Sequence, residues 1–241
     1  MSKKAGAARA QLQAQRAKQA ETDRRKERLM RVGIAIGVVV VLVAIGGLVQ
    51  WQRSKVDTSA SFPSGATDGL GSGVAVGVAS APVLVEAFED FACPHCAEFE
   101  TNAESALNAY VSSGKVRLVY FPLTLPGFGR PTELAANAFA CAADSGKAQA
   151  YHDALYANFK QDWTNAQLVS LGSSLGLDSG RFSTCVNKET FADYVKSVDE
   201  TGTSRGVNGT PTIFVNGKQI PAEDTTLDGL RTAVDAALAK S

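Results

Sequence analysis

Three rhythms of apolar and polar positions run along this 241-residue chain, and each predicts a different kind of element. In "VGIAIGVVVVLVAIGGLV", Val32 to Val49, nothing interrupts the apolar residues: eighteen positions carry no charge. As a helix this run spans about 27 Å, enough for the hydrocarbon core of a bilayer. It predicts a single transmembrane helix over 32–51, with Trp51 at the interface. The run exceeds the ~7–15 residues of a signal-peptide core, and only Thr58–Ala60 weakly resembles a cleavage site, so the span is expected to remain as an anchor.

Beyond it the rhythm changes. "APVLVEAF" (81–88) is rich in β-branched residues and bounded by Pro82, which reads as a strand. Phe99, Ala103, Leu107, Tyr110 and Val111 recur at spacings of three and four, a helix that Gly114 stops. "KVRLVYF" (115–121) reads as a second strand, giving a β-α-β unit whose helix must cross a sheet. From about 131 to 206 every stretch has helical spacing, each ended by Gly or a polar turn. "TPTIFVNGKQI" (210–220) reads as a hairpin with Asn216-Gly217 at its turn. A last helix from about Thr226 to Ala239 shows Leu227, Leu230, Val234 and Leu238 on one face. The order predicts an α/β sheet domain over 74–240 with a helical insertion at about 131–206.

The zero formal net charge hides an asymmetry that orients the chain. Ten of the 24 Lys/Arg and three of the 24 Asp/Glu lie in residues 1–31, leaving 14 basic and 21 acidic residues after them. By the positive-inside rule this basic tail stays in the cytoplasm and the rest is exported, a single-pass protein of the cell envelope. The tail has helix formers but no apolar stripe, and reads as a solvated topology signal near anionic lipid rather than a nucleic-acid binder. Residues 52–73 are rich in Ser, Gly, Thr and Asp; about 20 such residues make a flexible tether reaching roughly 25 Å.

All four cysteines (93, 96, 141 and 185) fall on the exported side, where disulfides persist. Cys93-Pro94-His95-Cys96 opens the first helix of the domain. Pro94 suits the first helical position, placing Cys93 at the N-cap, where unpaired N–H groups and the helix dipole favour a thiolate. Cys93 is then the attacking sulfur and Cys96, one turn on, the resolving one. His95 is expected to hold its ring near enough to favour that thiolate when protonated. A zinc ribbon wants a second CxxC, which Cys141 and Cys185 do not form. A c-type haem wants a histidine where Ala97 stands. No metal and no cofactor is expected. A purely structural disulfide across one helical turn would close almost no loop.

With "EDFACPHC", "YHDALY" and "GVNGTPTIFVNG" in order, residues 74–240 resemble the DsbA-like thiol-disulfide oxidoreductases of the thioredoxin superfamily, in particular the membrane-tethered members of actinobacteria. The resemblance implies a thioredoxin fold with an inserted helical domain. It implies that Pro211 is a cis proline beside the CxxC, with Thr210 presenting its backbone to an incoming chain. It also implies activity as a dithiol oxidase on unfolded exported proteins, reoxidised by a membrane partner of DsbB or VKOR type. The same fold serves isomerases and reductases, among which a threonine before the proline also occurs, and non-catalytic peptide-binding modules. Where several members place a buried acid, six residues before the first cysteine, this chain has Ala87. Glu86, Glu89 and Asp90 are the neighbouring candidates for a proton relay to Cys96. Cys141 and Cys185 read as a structural disulfide rather than a second redox pair; paired, they close a loop worth about 4 kcal/mol in the chain-entropy model. His152 reads as a helix-surface or packing residue.

Overall fold

The computed structural model describes residues 62–66 and 72–241. These all belong to the second of two units into which the chain divides, Met1–Thr58 and Ser59–Ser241. The expected basic tail (1–31) and membrane span (32–51) lie outside the described residues, as does most of the expected tether (52–73). Among the described residues no helix is long and apolar enough to cross a membrane. Part of the tether is docked on the domain. Ser64 donates from its backbone N–H and its hydroxyl to Asp144, at 3.1 and 2.8 Å, and the Phe62 ring meets Tyr194 edge-on.

Five strands form one mixed sheet in the order β1-β3-β2-β4-β5. Its centre is β2 (Val83–Glu89), parallel to β3 (Val116–Pro122) and antiparallel to β4 (Thr212–Val215). Helix α1 (Pro94–Ser112) is the crossover between β2 and β3. The β4–β5 hairpin turns at Asn216 and Gly217, both at positive φ (46° and 76°), the pair of left-handed positions a tight two-residue turn demands; β5 is Lys218–Gln219. A strand that periodicity missed, β1 (Val74–Val76), pairs antiparallel with β3; three residues are too few to show alternation.

Five helices fill the expected block: α2 (Arg130–Asp144), α3 (Ala148–Ala157), α4 (Asn165–Ser174), α5 (Ser179–Asn187) and α6 (Ala192–Ser204). Only the first four behave as an insertion. Helix α6 packs on β3, and Arg205, at its end, reaches back to β2. Helical periodicity runs alike through both kinds of helix, so spacing could not separate them. The final helix α7 (Leu227–Leu238) lies beside α1 and buries Leu230 and Val234, with Thr226 as its N-cap.

With helices on both faces, β2 is buried almost end to end, and alternation sends its residues to opposite layers. Glu86 and Phe88 face α6: Phe88 stacks on Phe121 at 4.1 Å between ring centres, and the Arg205 guanidinium lies over Phe88 and Phe214. Val85, Ala87 and Glu89 face the α1 side. That parity decides which acids can meet the cysteines.

Candidate functional site

The short loop Asp90–Ala92 carries the chain from β2 into α1, and the insertion holds each of its carbonyls. Tyr156 donates to Asp90 C=O (3.3 Å), Trp163 Nε1 to Phe91 C=O (3.3 Å) and Gln161 Nε2 to Ala92 C=O (3.4 Å). Asp90 ties the loop from within. Its carboxylate accepts from the N–H of Ala92 (2.8 Å), the N–H of Leu125 (2.7 Å) and the Thr132 hydroxyl (2.6 Å). All three carbonyls thus have side-chain donors, and that of Asp90 also accepts the Cys93 N–H at 2.9 Å.

Cys93 is the N-cap of α1, in extended backbone, with Pro94 in the first turn. Both thiols are free and buried. The Cys96 thiol donates to the Cys93 sulfur; burial opposes the charge, but the N–H groups of Cys96 and His95 add to it, and the Cys93 thiol falls to a pKa of about 5. When protonated, Cys93 Sγ donates to the Thr210 carbonyl at 3.6 Å. Thr210–Pro211 is a cis peptide. Burial drives Cys96 the other way, well above an ordinary thiol, and the Cys93 hydrogen bond and the nearby Glu89 charge push in the same direction. The His95 ring is not the expected source of help. Its side chain is 80% exposed, with Nδ1 3.9 Å from Glu98, and residue 95 reaches Cys93 through its backbone N–H.

The three candidate acids separate cleanly. Glu86 is taken by Arg205, whose two guanidinium nitrogens meet both carboxylate oxygens, the second at 3.0 Å. Asp90 is a loop tie. Glu89 lies on the α1 side: its Oε2 meets His152 Nε2 at 3.1 Å while its Oε1 is buried without a partner. His152 Nδ1 meets Asp153 at 3.1 Å. Burial works against a charged ring there, yet the hydrogen bonds to Asp153 and Glu89 outweigh it and lift His152 to about 10. Tyr120 stacks on the imidazole at 4.0 Å, and Phe91 and Tyr156 meet it edge-on. Glu100 completes the cluster; burial raises its pKa well above the carboxylate range, and its Oε1 also lacks a partner.

Glu100 and His152, neither of them an expected site residue, carry a signal in the sequence pattern. Glu100 falls in the buried stripe of Cys96, Phe99, Ala103 and Leu107, and His152 in that of Ala148, Tyr151 and Leu155. A polar residue on such a stripe is a buried one. Among the described residues, Glu89, Glu100 and His152 form the one trio whose donor atoms lie within 4.8 Å, the spacing of a metal site. Both ring nitrogens of His152 are engaged by carboxylates, which suits an imidazolium with no lone pair to offer a cation. Cys141 (α2) and Cys185 (α5) are disulfide-bonded.

The family profile described as "Thioredoxin" matches residues 70–236. The chain belongs to the thioredoxin family. Among curated relatives, the Na+/H+ antiporter NhaA 3 of Salinispora tropica is 32% identical over 143 residues, 59% of this chain and 21% of that protein. This chain therefore spans about a fifth of that relative's length. The probable disulfide bond formation protein D of Bacillus anthracis is 26% identical over 88% of this chain and 98% of its own. In fold, the thioredoxin-family domain matches MdbA, a thiol-disulfide oxidoreductase from Actinomyces oris, with a TM-score of 0.64 at 22% identity, covering 74% of this chain and 93% of that one.

Proposed function

We propose that this chain is a membrane-tethered, extracytoplasmic thiol-disulfide oxidoreductase that introduces disulfides into exported proteins through Cys93 and Cys96. The observation that carries the reading is the Cys93 thiol, held near a pKa of 5 at the start of α1 beside Thr210. Whatever stabilises the thiolate stabilises the reduced pair, which makes the disulfide a stronger oxidant. The relative named for disulfide bond formation, aligned over nearly its whole length, supports the same chemistry. The tether rests on the apolar run Val32 to Val49 and the basic residues before it.

A client thiolate attacks Cys93 Sγ of the disulfide. A client–Cys93 bond forms, the Cys93–Cys96 bond breaks, and its electron pair leaves on Cys96. With its pKa pushed up, Cys96 takes a proton, supplied by the Glu89–Glu100–His152 cluster. A second client thiolate then attacks the client sulfur and releases the Cys93 thiolate, completing the client disulfide. In the return direction the cluster accepts the Cys96 proton, as Cys96 attacks the mixed disulfide made with a membrane reoxidant of DsbB or VKOR type.

The test is a redox titration of the full-length protein in detergent micelles against glutathione, with the Cys93–Cys96 pair read by alkylation and mass. A potential above about −200 mV, toward the DsbA value of about −120 mV, is expected. A value near the thioredoxin figure of about −270 mV would make a reductase or isomerase the better account, and a pair that never reduces a static peptide-binding module.

A further inference from the structure

Beside Thr210 and Pro211 a groove of about 560 Å³ opens between the first turns of α1 and α7. Glu98 and Phe99 form one wall, Leu227 and Asp228 the other. The groove begins at Thr210, whose carbonyl the reactive sulfur contacts. An extended chain advances about 3.3 Å per residue, so a client whose cysteine sits on Cys93 lays its next two or three residues along these walls.

The walls are of one sign. Glu98 is 77% exposed and Asp228 is exposed. Among the described residues no Lys or Arg lines the groove, and the one basic side chain there, His95, lies against Glu98. The groove's apolar lining comes from Pro211, Ala222 and Leu227, with Phe99 only 5% exposed. A cleft lined by one sign of charge concentrates ligands of the other and speeds their encounter.

Resting on the oxidoreductase reading, we propose that this groove selects its clients by charge, taking unfolded segments with Lys or Arg within about three residues of the reacting cysteine. The carboxylates of Glu98 and Asp228 receive those cations while Ala222 and Leu227 cover their aliphatic stems. The covalent step is unchanged: the client sulfur bonds to Cys93, and Cys96 leaves with the electron pair.

The experiment mixes oxidised full-length protein in uncharged detergent with two synthetic peptides that share one cysteine, one flanked by lysines and the other by glutamates. Mixed-disulfide formation is followed by quenched mass spectrometry at about 0.01 M and about 1 M salt, where the Debye length falls from about 30 Å to about 3 Å. Each rate is divided by the same peptide's rate with a small uncharged disulfide, which removes the effect of flanking charge on thiol acidity. The lysine peptide is expected to react about tenfold faster at low salt, with the ratio near one at high salt. In Glu98→Gln/Asp228→Asn the low-salt ratio is expected within about twofold of one. Equal corrected rates in the unaltered protein, or a preference that survives the double substitution, would overturn the proposal. Exchange with neither peptide would instead overturn the oxidoreductase reading, and this inference with it.

Discussion

Two thiols one helical turn apart are driven in opposite directions, Cys93 chiefly by hydrogen bonds and Cys96 chiefly by burial. Cys93 gathers a thiol and two backbone N–H groups, whereas Cys96 is sealed beneath it beside Glu89. In the reduced protein, iodoacetamide alkylation of Cys93 should titrate with a midpoint near pH 5, while Cys96 stays unreactive at neutral pH. The same shift is a stability statement. A thiol lowered from 9 to about 5 on folding stabilises the reduced protein fully above about pH 9, progressively less as pH falls, and not at all below about 5. Urea melts should therefore show the reduced form's advantage over the oxidised form shrinking from pH 8 to pH 4; an advantage independent of pH would contradict the assignment. At this scale the sequence named Cys93, Pro94 and Cys96 from local signals, and Thr210 and Pro211 through the family resemblance. It could not rank Glu86, Glu89 and Asp90. Alternation sends 86 and 89 to opposite faces, but their partners, Arg205 and His152, arrive from 119 and 63 residues away.

The elements that could be read are those whose signal is local. The two long strands, α1, the hairpin and α7 appear within a few residues of their expected bounds, because β-branched runs, a Pro–Gly frame and an Asn-Gly turn each act over a short span. The role of the insertion could not be read, because it lies in contacts between elements. Tyr156, Gln161 and Trp163, from the end of α3 and the segment after it, grip three successive carbonyls ahead of the reactive cysteine. Trp163→Phe keeps most of the buried ring and removes only the donor to Phe91. A freed carbonyl can swing toward Cys93, so the alkylation midpoint should rise by up to about one pH unit, the equivalent of one hydrogen bond. Trp163→Phe with an unmoved midpoint would leave the grip a matter of packing alone.

At the scale of the whole molecule, sheet and insertion share one continuous apolar core, and the Cys141–Cys185 bond staples α2 to α5 within it. Closing its loop is worth about 4 kcal/mol, and in a domain of this size each kcal/mol moves the melting temperature by about 2–4 °C. Calorimetry of Cys141→Ser/Cys185→Ser should accordingly show a melting point lower by about 8–16 °C. The Cys93 titration should barely move, because neither sulfur touches the reactive pair; a large loss of Cys93 reactivity at temperatures where the variant remains folded would mean that the staple is part of the redox chemistry. That staple also has a bearing on the protein's birth. On the proposed oxidase reading, a molecule that gives disulfides to others leaves the ribosome with none, and must first receive one at 141 and 185 before its helical layer is secure. Each new copy is thus a customer before it is a supplier, and a cell that lost every working copy would have to find another oxidant to make the first replacement sturdy.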